Sequence, residues 1–281
     1  MLVNMSNILA DAREGHYGVG YFNAVNVEMA RSVIETAEEL RSPVIVGTAE
    51  VLLPAMSLEH VAEYLIPMAK KATVPVCVHY DHGLSFDKCT QALELGFTSV
   101  MYDCSTASYE ENVESLAEMV RLCHAAGATV EGELGHVGDN EGAGALLHPA
   151  DFYTDPEAAA DFVARTGVDA LAVAVGNAHG DYKFPPKLDF ERIKIIAERT
   201  GIPLVLHGGS GLSDSDFRTA VSLGICKINI FTDIDKAGKA GIEEGLAAGA
   251  RTLMQLMPYE IAAMKKVVHN KLALFGSVGK A

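Results

Sequence analysis

The segment Val76-Cys77-Val78-His79-Tyr80-Asp81-His82-Gly83 is an apolar run that ends in polar side chains and a glycine. This pattern is typical of a buried strand that delivers its last side chains to one edge of a sheet. An imidazole and a carboxylate adjacent in sequence can divide two tasks there, because one can bind a metal while the other moves a proton. Whether the segment forms a functional site therefore depends on what other strands bring to the same edge.

Composition describes an ordinary globular chain. Its 281 residues are 49% hydrophobic and 21% charged, which is enough for a large core. No linker-like segment divides the chain, so we expect a single domain over residues 1–281. No apolar run approaches the roughly 18 residues of a membrane span, and we identify no secretion signal. The five cysteines lack CxxC spacing, which favours reduced thiols in a cytoplasmic protein.

The charge of the chain restricts its partners. A formal net charge of −15 disfavours nucleic acid and anionic membranes, because both need a basic surface. It does not disfavour a small phosphorylated substrate, since backbone amides at a helix amino terminus bind phosphate locally.

Short apolar runs alternate with segments of helical period eight times along the chain. Residues 43–47, for example, precede a helical segment at residues 58–71, and residues 203–207 precede another at residues 214–223. Apolar strands separated by helices predict a parallel sheet covered by helices. Eight such units predict an α/β fold, the (β/α)8 TIM barrel, with residues 257–271 as an extra C-terminal helix. A doubly wound open sheet is the alternative, although its glycine fingerprint is absent after the first strand.

The carboxyl ends of the strands of such a barrel meet at one face, where the active sites of these barrels lie. The polar residues at the predicted strand ends, or just after them, are Asn23, His79, Asp81, His82, Asp103, Glu131, Glu133, His179, His207 and Asn229. Two long polar connections, residues 135–154 and 177–187, follow strand ends on this face. We interpret them as mobile lids.

Histidines follow three different strands and indicate a metal site. A single histidine at a strand end is more often a hydrogen-bonded core residue, but three of them beside glycines can supply the nitrogen ligands of a catalytic zinc. Asp103 and Glu133 lie close enough in this arrangement to shift that metal or to hold a second cation. We expect Glu131 and Glu133 to point to opposite sides of their strand, with Glu133 facing the site and Glu131 at the barrel wall.

Two further segments resemble phosphate-binding loops. His207-Gly208-Gly209-Ser210-Gly211 and Asn229-Ile230-Phe231-Thr232 follow the seventh and eighth predicted strands, where barrels often bind phosphate. Glycine amides and the hydroxyls of Ser210 and Thr232 are suitable donors. The alternative is a pair of tight turns. With a metal nearby, the segments favour a substrate that carries a phosphate and a chelating carbonyl and hydroxyl pair.

The ordered set of motifs resembles the class II (zinc-dependent) ketose-bisphosphate aldolases, which include fructose- and tagatose-1,6-bisphosphate aldolases. The motifs are Val78-His79-Tyr80-Asp81-His82-Gly83, Glu131-Gly132-Glu133-Leu134-Gly135, Gly176-Asn177-Ala178-His179-Gly180, Leu206-His207-Gly208-Gly209-Ser210-Gly211 and Lys227-Ile228-Asn229. The resemblance spans residues 23–277 and implies a (β/α)8 barrel that forms a homodimer or homotetramer. It also implies reversible cleavage of a ketose phosphate to dihydroxyacetone phosphate and an aldehyde.

The resemblance assigns roles to individual residues. It implies that His82, His179 and His207 bind the catalytic Zn2+, which stabilises the enediolate left by cleavage. Asp103 and Glu133 match a second divalent or monovalent cation site in the family. Asp81 matches the acid/base at the C4 hydroxyl, and Glu141 in the long loop matches the carboxylate that moves the C3 proton.

The same resemblance implies a set of substrate-binding residues. They are Asn23, Gly180, Gly208, Gly209, Ser210, Asn229, Ile230, Phe231, Thr232 and, for a distal phosphate, Arg251. The mechanism needs no Schiff base, so Lys227 is not assigned as a nucleophile. His79 shares the side of its strand with Asp81, and we expect it to support the ligands rather than bind metal.

Departures from the family pattern leave the substrate open. Ile230-Phe231 is bulkier than the family's usual residues at this position, and Arg251 is the one evident cation for a distal phosphate. A ketose 1-phosphate without a distal phosphate is therefore an alternative substrate. A zinc hydrolase is a second functional class, but the HxH pair usual on its first strand is absent. A non-catalytic partner subunit of an aldolase is a third, but that interpretation fits poorly with three retained histidines.

Overall fold

A computed structural model of the chain describes residues 1–137, 153–178 and 186–281. The strands are β1 (Leu2–Val3), β2 (Val19–Asn23), β3 (Val44–Ala49), β4 (Val76–Gly83), β5 (Ser99–Tyr102), β6 (Thr129–Leu134), β7 (Ala170–Val173), β8 (Leu204–Leu206) and β9 (Ile225–Ile230). The helices are α1 (Met5–Glu14), α2 (Val27–Leu40), α3 (Leu58–Lys71), α4 (Phe86–Glu94), α5 (Tyr109–Ala125), α6 (Pro156–Thr166), α7 (Phe190–Thr200), α8 (Asp214–Ser222), α9 (Thr232–Ala247) and α10 (Leu253–Phe275). A short 3-10 helix, η1 (Glu50–Leu52), follows β3.

Strands β2 to β9 form a closed parallel barrel. Their order is β4-β3-β2-β9-β8-β7-β6-β5, and β5 pairs back with β4. A helix follows each strand along the chain, and the barrel strands pair in parallel. The predicted (β/α)8 fold is therefore confirmed, and every strand points its carboxyl end to the same face.

The extra C-terminal helix is also confirmed and is longer than predicted. Helix α10 packs mainly against α9 and α2, and it buries Met264, Val268, Leu272 and Phe275. Among the helices of the described ranges, none has both the length and the apolar character needed to cross a membrane.

Helix α1 and strand β1 were not predicted from the sequence. Asn4 caps α1 by accepting a hydrogen bond from the Asn7 amide, and the helix buries Met5, Ile8, Leu9 and Ala12. These side chains pack with the barrel residues Val19, Tyr21 and Val205, so α1 covers the amino-terminal end of the barrel. The N-cap and the helical spacing of the four apolar residues were the signals available in the sequence.

The barrel interior changes character along its axis. Its amino-terminal half is apolar and contains Tyr21, Ile45, Cys77 and Val205. Its carboxyl-terminal half is filled by polar side chains that are less than 10% exposed: His79, Asp81, Glu131, Glu133, His207, Lys227 and Asn229. Buried charges need partners, so this half is a network of mutual contacts that leads up to the site.

Candidate active site and metal centre

The end of β4 presents two adjacent residues to one cavity. Neighbouring residues of a regular strand point to opposite faces, yet Asp81 and His82 both line the cavity at the carboxyl end of the barrel. The reason is local: the pairing of β4 with β5 shifts register between Tyr80 and Gly83, and His82 adopts a left-handed backbone with φ 45°. This irregularity turns the imidazole towards the same cavity as the carboxylate.

Asp81 is a buried, ionised carboxylate. The side-chain amide of Asn229 lies 3.3 and 3.4 Å from its two oxygens, and His79 Nε2 lies 3.6 Å from Oδ1. Burial by itself would raise the pKa of Asp81, but His82, His79 and Lys227 hold that pKa well below its usual range. The group can therefore accept a proton at neutral pH.

His82 and His207 face each other across the cavity. His82 Nε2 lies 2.8 Å from His207 Nδ1. The opposite nitrogen of each ring contacts a carboxylate, because His82 Nδ1 lies 2.7 Å from Asp103 Oδ2 and His207 Nε2 lies 2.8 Å from Glu131 Oε1. A carboxylate fixes the N–H on the nitrogen that it contacts, so the two facing nitrogens are the ones left to share a proton or to bind a cation.

The charges around this pair indicate a place for a cation. Burial lowers the pKa of His82, but Asp81, Asp103 and Glu133 overcome it and raise that pKa to about 10. Burial and the charge of His82 lower the pKa of His207 to about 4. In the metal-free site one imidazole is therefore charged and the other neutral, so the histidine pair carries one positive charge beside Asp81 and Asp103.

Glu133 adds a further donor to this group. Burial, followed by the Asp103 charge, raises the pKa of Glu133 to about 8. Its Oε1 accepts a hydrogen bond of 3.0 Å from the Val137 amide, while its buried Oε2 has no hydrogen-bond partner among the described residues. Atoms of His82, Asp103 and Glu133 lie within 4.8 Å of one another, as do atoms of Asp81, His82 and His207. Nitrogen and carboxylate donors in this arrangement fit a divalent metal.

The expected orientation of Glu131 was wrong. Glu131 and Glu133 both point into the barrel, since His207 lies 2.8 Å from Glu131 and 3.8 Å from Glu133. Residues two apart in a strand share a face, so the opposite-side expectation misapplied the strand period. Glu131 is a partner of His207 inside the barrel and not a residue of its wall.

A cavity of roughly 180 Å3 opens beside these groups. The predicted substrate-binding residues that line it are Asn23, Gly208, Ser210, Asn229, Ile230, Phe231 and Thr232. Helix α9 begins at Thr232, and its N-cap residue Phe231 makes no side-chain cap. The amino terminus of a 16-residue helix therefore lies at the cavity, as an anion site requires.

Two of the predicted glycines have structural tasks. The Gly209 amide donates to the Asn229 carbonyl at 3.1 Å. Gly208 has φ 62°, and a Cβ added there would lie 2.0 Å from the Ala178 carbonyl oxygen. Only glycine permits this approach, which brings Ala178 against Gly208, the residue that follows His207. The Asn177 side chain also donates to the His207 carbonyl at 3.1 Å.

Other predicted residues lie away from the cavity or outside the described residues. Glu141, His179 and Gly180 lie outside the described residues, as do large parts of the two predicted lid loops. Arg251 is exposed in the turn between α9 and α10. The 16 residues of α9 span about 24 Å, so Arg251 lies at the opposite end of this helix from the cavity. A role for Arg251 at a distal phosphate stays a prediction.

Lys227 received no role from the sequence. In the structure it lies beneath the site. Its ammonium is 2.9 Å from Glu131 Oε2 and 2.7 Å from Asn229 Oδ1, and it lies 4.6 Å from the centre of the Tyr21 ring. Tyr21 in turn donates to Asn23 Oδ1 at 2.6 Å. The available signal was the spacing, because Lys227 precedes Asn229 by two residues and must share its face.

A larger cavity lies at the other end of the barrel. It has a volume of about 700 Å3 and is bordered by α1 and by the residues that precede β7, β8 and β9. Arg13, Lys194, Asp169 and Glu198 contribute both signs of charge to its rim. The converging histidines and carboxylates are at the carboxyl face, so we place the chemistry there.

Comparisons with known proteins identify relatives of this chain. The family model described as fructose-bisphosphate aldolase class-II matches residues 3–280. A fructose-bisphosphate aldolase of Geobacillus stearothermophilus is 40% identical over 285 residues, which cover 100% of this chain and 99% of that protein. The crystal structure of the YdjI aldolase from Escherichia coli K12 superposes with a TM-score of 0.91 at 40% identity and 100% coverage of both chains. Fructose-bisphosphate aldolase from Campylobacter jejuni has the same fold, with a TM-score of 0.85 at 24% identity, covering 100% of this chain and 97% of that one.

Proposed function

We propose a reaction on one premise: the chain belongs to the class II fructose-bisphosphate aldolase family. It is a lyase of carbohydrate metabolism in a metal-dependent family that acts on phosphorylated sugars. The proposal is that it reversibly cleaves a ketose phosphate to dihydroxyacetone phosphate and an aldehyde. The observation that carries it is the pair His82–His207, held by carboxylates and placed beside the ionised Asp81.

The metal in this proposal is zinc. His82 Nε2 and His207 Nδ1 would hold it, together with His179 from the segment outside the described residues. When bound, zinc supplies a Lewis acid that stabilises negative charge on the substrate's oxygens. Asp103 orients His82, and we assign Asp103 and Glu133 to a second divalent or monovalent cation or to an alternative position of the first.

Asp81 is proposed to move the proton at C4. Its carboxylate accepts the proton of the C4 hydroxyl while the C3–C4 bond breaks, so that the C4 carbon leaves as an aldehyde. The Asn229 amide holds the carboxylate, at 3.3 and 3.4 Å from its two oxygens. Glu141 is proposed to return a proton to C3, which completes dihydroxyacetone phosphate.

The phosphate of the dihydroxyacetone half is assigned to the amino terminus of α9. Thr232 and Ser210 line the cavity there, and the Ser210 hydroxyl accepts a hydrogen bond of 3.3 Å from the Asp233 amide. Lys271 lies 2.7 Å from the Asp233 carboxylate and reduces the repulsion that this carboxylate would exert on an anion. Gly180 and Asn23 complete the proposed cradle.

The distal end of the substrate has two candidate chemistries. Relatives named fructose-bisphosphate aldolase favour a distal phosphate. The cavity favours an uncharged distal end, because among its described lining residues Asp81 and His82 are the ionisable ones and Val51, Leu52 and Phe231 are apolar. The alternative proposal is therefore a ketose 1-phosphate without a distal phosphate.

A condensation screen tests the reaction and its substrate together. The zinc-loaded enzyme is incubated with dihydroxyacetone phosphate and a panel of aldehydes, phosphorylated and not, and the products are identified by mass spectrometry. The expected result is a ketose phosphate with at least one aldehyde. Absence of condensation with the whole panel, combined with release of inorganic phosphate, would instead indicate a hydrolase. Condensation that is efficient only with phosphorylated aldehydes would exclude the alternative substrate.

Assembly and location complete the proposal. We propose a homodimer or homotetramer in the cytoplasm. The support is the exposed apolar pair Leu253 and Met254 at the start of α10, which are 70% and 77% exposed in the single chain. Light scattering coupled to gel filtration measures the mass in solution, and a monomer at micromolar concentration would contradict the proposal.

A further inference from the structure

We propose that Lys227 is a positioning residue whose buried ammonium aligns the metal-binding side of the site with its proton-transfer side. The inference rests on the proposed function, and it goes beyond that function because it assigns a task to a residue that contacts neither metal nor substrate. Lys227 acts through Glu131 on His207, and through Asn229 on Asp81.

The first argument is the surroundings of the ammonium. The side chain of Lys227 is fully buried in the barrel, 2.9 Å from Glu131 Oε2 and 2.7 Å from Asn229 Oδ1. The Tyr21 ring lies on a third side, with its centre at 4.6 Å. An ammonium donates and cannot accept: here it donates to Asn229 Oδ1 and forms an ion pair with Glu131 Oε2.

The connection to His207 runs through Glu131. One carboxylate oxygen of Glu131 contacts the ammonium, and the other accepts from His207 Nε2 at 2.8 Å. A carboxylate held at one oxygen cannot rotate without losing that contact, so Lys227 sets the direction in which Glu131 meets the imidazole. His207 then presents Nδ1 to the cavity, opposite His82 Nε2.

The connection to Asp81 depends on the orientation of an amide. Because the ammonium only donates, the side-chain oxygen of Asn229 must face Lys227, and its nitrogen must therefore face Asp81. Without the ammonium the amide could reverse and place its oxygen against the carboxylate. Lys227 thus determines which group supports the proposed base.

Stability alone does not account for a lysine at this place. A buried ion pair is often no more stabilising than an apolar pair of similar size. The pair Lys227 and Glu131 has no exposed surface, so an apolar pair would satisfy packing equally well. The contacts that an apolar pair cannot reproduce are those to Asn229 and His207.

The test compares Lys227→Met with the double variant Lys227→Met/Glu131→Gln, which leaves no unpaired charge and keeps an oxygen that can accept from His207 Nε2. Three measurements are made: the melting temperature, the zinc dissociation constant by chelator competition, and the steady-state kinetics of aldol cleavage, which give kcat and KM. The visible absorption spectrum of the cobalt-substituted protein reports the ligand geometry independently of activity. Cys226→Ala in the same strand is the control for disturbance of β9.

We expect Lys227→Met to weaken zinc binding by about 10- to 100-fold, as loss of an outer hydrogen-bond partner typically does. kcat should fall by a larger factor, with KM changed by less than about threefold. The reason is that the variant disturbs both connections, through Glu131 to His207 and through Asn229 to Asp81. The double variant should regain the melting temperature but not the zinc affinity, the cobalt spectrum or kcat. Cys226→Ala should resemble the wild type in all four.

A merely structural lysine gives a different result. In that case the double variant would recover zinc affinity, cobalt spectrum and kcat along with its melting temperature, and the proposal would be overturned. If Lys227→Met does not fold, the zinc affinity, cobalt spectrum and kcat of the double variant still distinguish a positioning role from a structural one. A wild-type protein that binds zinc but makes no aldol product would refute the proposed function. The zinc affinities and cobalt spectra of the variants would still test the role of Lys227.

Discussion

His82 Nε2 lies 2.8 Å from His207 Nδ1, and each ring is held from behind by a carboxylate, Asp103 for His82 and Glu131 for His207. The carboxylates direct two lone pairs at each other, and such an arrangement needs a cation. In the metal-free protein that cation is a proton. The same geometry explains why these histidines, from β4 and from the end of β8, are suited to share a metal.

Metal binding should release a definite number of protons per metal ion. At pH 7 His82, with a pKa of about 10, and Glu133, with a pKa of about 8, both carry a proton that a bound divalent cation would displace. We expect about two protons released per metal, and an affinity that rises with pH up to the higher of these pKa values, less steeply above the lower one. Titration calorimetry in buffers of different ionisation enthalpy measures this number. The matched variant Glu133→Gln should release about one, and an unchanged count would contradict the pKa assignment of Glu133.

Asp81→Asn should separate two proton transfers. The amide cannot accept the C4 hydroxyl proton, so kcat for cleavage should fall by about 10²- to 10⁴-fold, while the zinc content stays at the wild-type level. Exchange of a proton on the hydroxymethyl carbon of dihydroxyacetone phosphate, which is C3 of the ketose, can be followed by NMR. It should persist because Asp81 does not carry that proton. Loss of the exchange with zinc still bound would assign both steps to Asp81.

Gly208→Ala should disturb the site through the backbone. An added Cβ would lie 2.0 Å from the Ala178 carbonyl, so the segment before His179 must move, and both the melting temperature and the zinc affinity should fall. Gly127→Ala is the matched control: Gly127 has φ 75°, and no atom of the part of the chain that the structure describes lies within 4 Å of an added Cβ. The control should cost about 1 kcal/mol of backbone strain and leave zinc binding unchanged. Equal effects of the two variants would show that the Ala178 contact is unimportant.

The thiols should be protected in the folded chain. Burial raises the pKa of Cys77 and Cys123 to about 12 and that of Cys226 to about 11. Because the thiolate is the reactive form, a disulfide reagent at pH 8 should modify less than one thiol per chain within minutes, beginning with the half-buried Cys104. All five should react after denaturation. Rapid modification of several thiols in the native protein would contradict the burial of these cysteines.

The fold and the main site residues could be predicted because their signals are local. Each strand and helix of the barrel has its own hydrophobic pattern, and the apolar run before Asp81 and His82 indicates a strand with a polar end. What could not be read off depends on several strands at once. The Lys227 network joins residues of β2, β6 and β9, and only the closed barrel brings these strands around one ammonium.

The errors at Glu131 and at the amino terminus have simpler causes. Residues 131 and 133 share a strand face, so the strand period itself, applied correctly, would have placed both carboxylates inside the barrel. Helix α1 has an N-cap and four buried apolar residues at helical spacing, but it precedes the eight strand and helix units from which the fold was predicted. Its role, covering the amino-terminal end of the barrel, appears only once the strands are assembled.

The most direct test of the whole account is the metal dependence of dihydroxyacetone phosphate formation. The chain is stripped with a chelator, and release of dihydroxyacetone phosphate from a ketose 1-phosphate or bisphosphate is followed in a coupled assay as zinc is added back. We predict no activity in the stripped protein and full recovery at about one zinc per chain, with no recovery in His207→Ala. Cleavage that persists in the stripped protein, or recovery in His207→Ala, would contradict the assignment of this site.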